Sequence, residues 1–395
     1  MEVSQIKQEF IKYYGGSAED LRVFASPGRV NMIGEHTDYN GGYVFPAALE
    51  MGTTIVCRKR NDNILRLRAT DLDVTVEADL TKLEQYKTLE WGNYQLGVAD
   101  EMQKAGYTIC GLDMLYDDTV PHGGGLSSSA AIEVSTALCF ATLSNESSGS
   151  TAPVDMVEMA KIGQKTENNY VGVNCGIMDQ FASAMGKAGH AIFLDCKDLS
   201  FDYAPLDLRG KKVVIANTNK KRSLADSKYN ERRAECEAGL AILQQAMPEK
   251  SCLGEISRAE FEAHKGLIAD ATVCKRVEHV ICEDDRVLRS VEALKKGDIA
   301  TFGALMNASH DSLRDLYEVT GVELDTLVDE ARKIPGTVGS RMTGAGFGGC
   351  TVSIVEEDAV ARFIDEVGKA YQAKTGLTAS FYVTAIGDGG REIFA

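Results

Sequence analysis

Apolar positions recur along the chain with two periods, and these sort it into elements. Residues 3–14 carry charged and apolar side chains at helical spacing, which predicts an amphipathic opening helix. Residues 26–42, dense in glycine and polar side chains, read as loop and turn. Three alternating runs at 53–60, 64–70 and 74–78 read as strands between Asn and Asp turns. Helical spacing returns at 91–105, where Leu96, Val98, Ala99 and Met102 are apolar, and 111–116 reads as a strand. Helices are predicted at 132–143, rich in small residues, and at 153–170, with Pro153 suited to a first turn. A strand at 190–196 closes this half. From Lys212 the texture changes: a strand at 213–218 precedes charged helices at about 226–246, 276–295 and 322–333. Strands at 338–343, 350–355 and 381–386 follow, with a helix at about 358–374 between the last two. The mixture is α+β with mixed sheets. No repeat or flexible linker interrupts it, so two intimately packed domains, 1–205 and 206–395, are expected.

Composition narrows the class. A chain of 395 residues exceeds what one core usually supports. The net charge of −16 disfavours nucleic acid and anionic lipid as partners, so neither is expected. Two cationic clusters, Lys220-Lys221-Arg222 and Arg232-Arg233, read as solvated faces. No apolar run is long enough to span a membrane, and residues 1–10 lack a signal-peptide pattern, so a cytoplasmic location is expected. Ten cysteines without a C-x-x-C pair read as free thiols rather than a zinc site or disulfide framework.

The first chemistry lies at Pro121-His-Gly-Gly-Gly-Leu-Ser-Ser-Ser-Ala-Ala131. Gly123, Gly124 and Gly125 permit backbone angles and approaches that side chains forbid. Ser127, Ser128 and Ser129 then enter a helix, whose unpaired N–H groups and dipole favour a phosphate. A serine cap after a glycine turn would explain less than three glycines followed at once by three serines. There is no G-x-x-x-x-G-K-[ST]. The formal G-x-G-x-x-G at Gly344, Gly346 and Gly349 runs into a strand, so it reads as a tight hairpin supporting the phosphate loop. The loop alone says that a small molecule is phosphorylated or bears phosphate.

The segment Pro27-Gly-Arg-Val-Asn-Met-Ile-Gly-Glu-His-Thr-Asp-Tyr-Asn-Gly-Gly42 closely resembles the galactokinase signature. The loop 121–131 resembles the ATP-binding motif of the wider GHMP kinases, and Arg341-Met-Thr-Gly-Ala-Gly-Phe-Gly-Gly-Cys350 is similar to their third motif. The resemblance implies a two-domain GHMP-kinase-like fold with its active site in the interdomain cleft. It further implies ATP-dependent phosphorylation of α-D-galactose at the C1 hydroxyl, with Mg2+. A monomer acting on a small-molecule substrate is expected. Two other functions stay open at this point: a kinase of a related sugar (N-acetylgalactosamine or arabinose), and a non-catalytic sensor of galactose and ATP.

Roles follow from the match. Asp179 falls at the catalytic aspartate, where a carboxylate can take the proton of the attacking hydroxyl. Arg29 falls at the catalytic arginine, whose permanent charge suits the transferring phosphoryl group. Glu35, His36 and Asp38 share one loop, and their alternating polar groups suit a hexose edge better than a metal, since no second His or Cys stands at ligand spacing. Gly176 and Tyr229 match further sugar contacts. ATP contacts are expected at Gly123, Gly124, Gly125, Leu126, Ser127, Ser128, Ser129 and Ala130, with Trp91 and Tyr94 resembling lining of the adenine pocket. Ser128 and Glu167 fall where the family holds Mg2+, and a hydroxyl with a carboxylate suits a hard cation.

Overall fold

The computed structural model describes residues 1–89, 91–121, 123–208, 210–220 and 225–394. His122, Lys221 and Arg222, which belong to motifs quoted above, lie outside the described residues. The largest sheet has six strands, in the order Arg391–Glu392, Arg22–Asn31, Pro46–Lys59, Leu112–Asp118, Ile64–Ala69 and Thr75–Asp79. Only the pairing of Ile64–Ala69 with Leu112–Asp118 is parallel. A four-stranded antiparallel sheet runs Thr337–Thr343, Cys350–Glu356, Lys211–Asn217 and Ser380–Thr384. A three-stranded sheet joins Tyr43–Val44, His190–Asp195 and Phe201–Pro205.

One departure from the sequence pattern builds the site. Residues 26–31 are the buried end of a strand rather than loop. Their partner strand begins at Pro46, well before the alternation at 53, and the ladder shifts register between Pro27 and Arg29. Pro27 has no N–H to give, so it sits at such an irregularity, and the shift re-aims the residues after it. Arg29 then sends its N–H to the Leu126 carbonyl at 3.0 Å. The sheet is thus joined directly to the glycine–serine loop.

The helices mostly match the periodic segments, including Val3–Tyr14, Asn93–Lys104, Ser128–Ser148 and Ala271–Lys295. The one expected at 153 begins at Met156 instead, because Asp155 caps the N–H groups of Val157 and Glu158. It continues through a π-helical turn, Thr166–Val171, which carries Glu167. Ile299–Ser312 is a helix that the pattern does not mark. Small residues let it lie close on Thr337–Thr343; a Cβ on Gly303 would stand 2.2 Å from the Val338 carbonyl oxygen.

A shared core fixes the two halves. Val30, Met32 and Phe45 pack with Val213, Val352 and Phe302 in one buried cluster. The C-terminal strand Arg391–Glu392 also returns to the first strand of the chain. All ten cysteines are free thiols. Among the described residues, no helix is long and apolar enough to cross a membrane.

Candidate active site

The three glycine-rich segments meet at Arg29. Its Nε and Nη2 both reach Asp179 Oδ1, at 2.8 and 2.7 Å, and its Nη1 donates to the Gly125 carbonyl at 2.8 Å. Asp179 Oδ2 accepts the Ser127 hydroxyl at 2.5 Å. The guanidinium is buried, whereas the carboxylate keeps 33% of its side-chain surface open to the cleft. Asp179 also lies in the first turn of Met178–Met185, where the helix dipole favours a negative charge. The third segment closes the corner: a Cβ on Gly344 would come within 3.0 Å of the Gly125 oxygen.

On one side of this corner lies a cavity of ≈ 290 Å³, lined by Arg29, Glu35, His36, Asp38, Tyr39, Gly176, Asp179, Tyr229, Asn230 and Gly344 among others. That is the small end of the range for ligand clefts, about 300 Å³ upward. Five polar side chains that the sequence nominates thus line one cleft, together with Gly176 and Tyr229. Gly176 is required there, since a Cβ would stand 1.9 Å from Asp38 Oδ2. Tyr229 closes the wall by packing on His36 and Tyr39, ring centroids 5.8 and 5.2 Å away.

The electrostatics of the cleft follow from burial. Burial, and then the nearby Asp179 carboxylate, push Asp38 up to about 7. Burial pushes His36 down to about 3, so its ring is neutral at pH 7. Both ring nitrogens already have partners: Nε2 donates to the Ala345 carbonyl at 3.2 Å, and Nδ1 accepts from the Tyr39 hydroxyl at 2.8 Å. Glu35 is similarly committed, its Oε1 accepting the Gly344 N–H at 2.7 Å and its Oε2 the Asn31 amide at 3.0 Å. Arg341, fully buried, donates to the Asn31 carbonyl at 2.7 Å and stands 3.4 Å from Glu35 Oε1.

On the other side, Gly123, Gly125 and Ser127 all have positive φ. They deliver the chain to the N-terminus of Ser128–Ser148, and a Cβ on Gly123 would meet nothing within 4 Å. The first helical turn, with Ser128, Ser129 and Ala130, follows Leu126, whose carbonyl accepts the Arg29 N–H. Consecutive residues of that turn point about 100° apart. Ser127 bonds Asp179 and Ser128 bonds Asp118, while the Ser129 hydroxyl lies near Glu167.

Glu167 is buried, and burial pushes it up to about 7 against the hydrogen bond from Ser129. Gln180 bridges it to Glu133, donating at 3.3 and 2.9 Å. Among the described residues no cation stands within ion-pairing distance of Glu167, and no group of three His, Cys, Asp or Glu is gathered as a metal site. Trp91 is not brought to the cleft. Its ring meets Tyr116 edge-on at 6.2 Å and packs on the N-terminal core.

Sequence reasoning missed Asn31 and Tyr39. Both lie inside the first motif, and each has a partner hundreds of positions away, at Thr343 and Tyr317.

Comparison with known proteins places these features. Three family models match in order: the galactokinase galactose-binding signature over 8–59, the GHMP kinases N terminal domain over 93–187, and the GHMP kinases C terminal domain over 290–373. A galactokinase of Fusobacterium nucleatum is 51% identical over 389 residues, covering 98% of this chain and 97% of its own. One of Clostridium acetobutylicum is 51% identical over 374 residues, covering 94% of each chain. The crystal structure of Lactococcus lactis galactokinase complexed with galactose is similar at a TM-score of 0.94 and 42% identity, covering 100% of both chains. Methanococcus jannaschii mevalonate kinase, at TM-score 0.66 and 19% identity over 93% of this chain, shares the fold alone.

Proposed function

The chain belongs to the galactokinase family, and from that premise we propose that it transfers the γ-phosphoryl group of ATP to the C1 hydroxyl of α-D-galactose, giving α-D-galactose 1-phosphate and ADP. The observation that carries the reading is the Arg29–Asp179–Ser127 constellation, which stands where the polar cavity meets the phosphate loop.

In this reading Asp179 takes the proton of the attacking hydroxyl, and Arg29 anchors that carboxylate while facing the charge that develops in transfer. Asp38, with Glu35 and the wall of His36 and Tyr229, orients the hexose. The sequence from Gly123 to Ala130 binds the phosphates through backbone amides and serine hydroxyls. Mg2+ would neutralise phosphate charge when bound. The residues fit it: Glu167 is a buried carboxyl without a cation partner among the described residues, and Ser128 at the helix N-terminus offers a hydroxyl. Phosphate oxygens and water would complete the shell.

The division near residue 205 gives the sugar loop and the phosphate loop to the first domain and the third glycine-rich turn to the second. The same reading has the enzyme act as a cytoplasmic monomer, which size-exclusion with light scattering would check for the assembly state. The deciding experiment is a sugar panel with ATP, reading ADP release. Galactose should be turned over best. Preference for N-acetylgalactosamine or arabinose would overturn the sugar assignment, and absence of ADP release with every sugar would leave a sensor.

A further inference from the structure

The loop that faces the sugar is held from outside by one helix of the second half. Ala271–Lys295 places His279, Glu283 and Val287 four residues apart, hence on one face. Glu283 is completely buried, and its Oε1 accepts the N–H of Gly34 at 2.9 Å and of Glu35 at 3.2 Å. His279 Nε2 donates to the Glu35 carbonyl at 3.1 Å, while its Nδ1 accepts from the Ser312 hydroxyl at 2.8 Å. Between them, the two side chains satisfy both backbone groups of Glu35. Asp284, next along, accepts the Tyr43 N–H at 2.8 Å, at the far end of the same loop.

The loop has little freedom left. Gly34 and His36 both have positive φ, and a Cβ on Gly34 would stand 2.7 Å from the Tyr43 oxygen and 2.9 Å from the Val287 side chain. A Cβ on Gly42 would stand 2.4 Å from Asp284 Oδ1. Glu283 is itself fixed by Arg286 at 2.6 Å and by the Ser309 hydroxyl at 2.5 Å. Burial opposes its charge, yet the Arg286 and Arg341 guanidiniums hold it down at about 2, so it stays an anion. An anionic acceptor on two N–H groups is stronger than a neutral one.

We propose that His279, Glu283 and Asp284 are positioning residues that set the sugar affinity of the cleft by holding the backbone from Gly34 to Tyr43. None of their hydrogen bonds given above reaches the loop 121–131, so the effect belongs to the sugar side. The inference rests on the galactose reading for its substrate, and on geometry alone for the hold.

Two variants of the full chain test it. Glu283→Gln removes the charge at constant shape. His279→Phe removes the donor but keeps the ring that packs on Tyr317 at 4.5 Å. Galactose KM should rise about tenfold in the first and about fivefold in the second, with ATP KM and melting temperature little changed. Amide exchange should quicken across 34–43 and stay as it is across 121–131. Wild-type galactose KM and wild-type exchange in both variants would overturn the proposal. So would galactose and ATP KM rising together as the melting temperature falls, since that describes a general structural role. If Glu283→Gln gives no folded protein, His279→Phe decides alone. If the wild type leaves galactose untouched, the functional reading fails, and the exchange pattern still decides whether the helix holds the loop.

Discussion

The sugar loop lines the same cavity as Arg29, and the phosphate loop bonds that arginine, yet the two loops are made rigid by opposite means. From Gly34 to Tyr43, side chains are packed inward and the backbone is gripped by buried groups from a distant helix. From Gly123 to Ser127 the backbone itself is the instrument. Its positive φ values turn the chain into a helix N-terminus, and open space lies over Gly123. The difference matches the chemistry each side has to read. A hexose is told from its epimers by the placement of hydroxyls, which requires side chains held in place before binding. A phosphate is the same on every nucleotide, and amides with a helix dipole suffice for it. The cost of the first strategy is visible as well: the desolvated Asp38 carboxyl is pushed up to about 7.

The largest effect should come from Asp179, which bonds Ser127 of the phosphate loop and lines the cavity of the sugar loop. Asp179→Asn keeps the size of the side chain and removes the proton acceptor, so turnover should fall about a thousandfold while the melting temperature holds. Steady-state ADP release alongside a thermal melt checks both. Next comes a matched pair of glycines. Gly176→Ala forces a methyl onto Asp38 Oδ2, 1.9 Å away, and should raise galactose KM at least about tenfold with ATP KM unmoved. Gly123→Ala meets no atom within 4 Å but must adopt φ +68. It should cost about 1 kcal/mol of stability through backbone strain and leave galactose KM alone. Equal behaviour of the two would erase the contrast between the loops.

How much of this could be read beforehand differs between the two regions in the same way. The phosphate loop was legible because its function lies in consecutive residues, glycines then serines then helix. Only the direction of each hydroxyl was hidden, as in the bond from Ser128 to Asp118. The sugar loop showed its residue types, and the resemblance gave their roles, but its supports are Glu283, His279 and Arg341. Those partners are 306 to 310 or 244 to 249 positions away, and nothing in local composition links them. The strand end at 26–31 was read as loop for a related reason. Glycine and proline are poor strand formers, and it took burial on both faces and a register shift to keep them in the sheet.

A smaller, pH-dependent effect separates the loops without altering the cleft. Asp38 has its ordinary value near 3.8 when unfolded and about 7 in the free folded chain. Its buried charge therefore lowers stability increasingly as pH rises from about 4 to 7, because the folded state holds a proton that the unfolded state has lost. Sugar hydroxyls donating to Asp38 favour the carboxylate, so galactose binding should release a proton. Galactose KM should then drop roughly fivefold between pH 6 and pH 8. Asp38→Asn should flatten that profile and melt higher than wild type at pH 8, with no such gain at pH 4. In Asp179→Asn, where the neighbouring negative charge is gone, galactose binding measured by calorimetry should show its pH midpoint moved down.

The smallest effect is expected on the nucleotide side, at Trp91. Its place in the sequence resembles adenine-lining positions, but its ring stands edge-on to Tyr116, 88° between planes, and packs on the core of the six-stranded sheet. A ring already engaged along its edge has less surface to offer a base. Trp91→Phe preserves an aromatic contact with Tyr116 at reduced volume, so it should cost about 1 kcal/mol of stability. ATP KM should change by no more than about twofold. The same variant decides the opposite case, because an adenine wall would respond in KM before it responds in melting temperature. A rise in ATP KM beyond about fivefold with an unmoved melt would make the phosphate side a reader of side chains too, and the two loops would then differ only in degree.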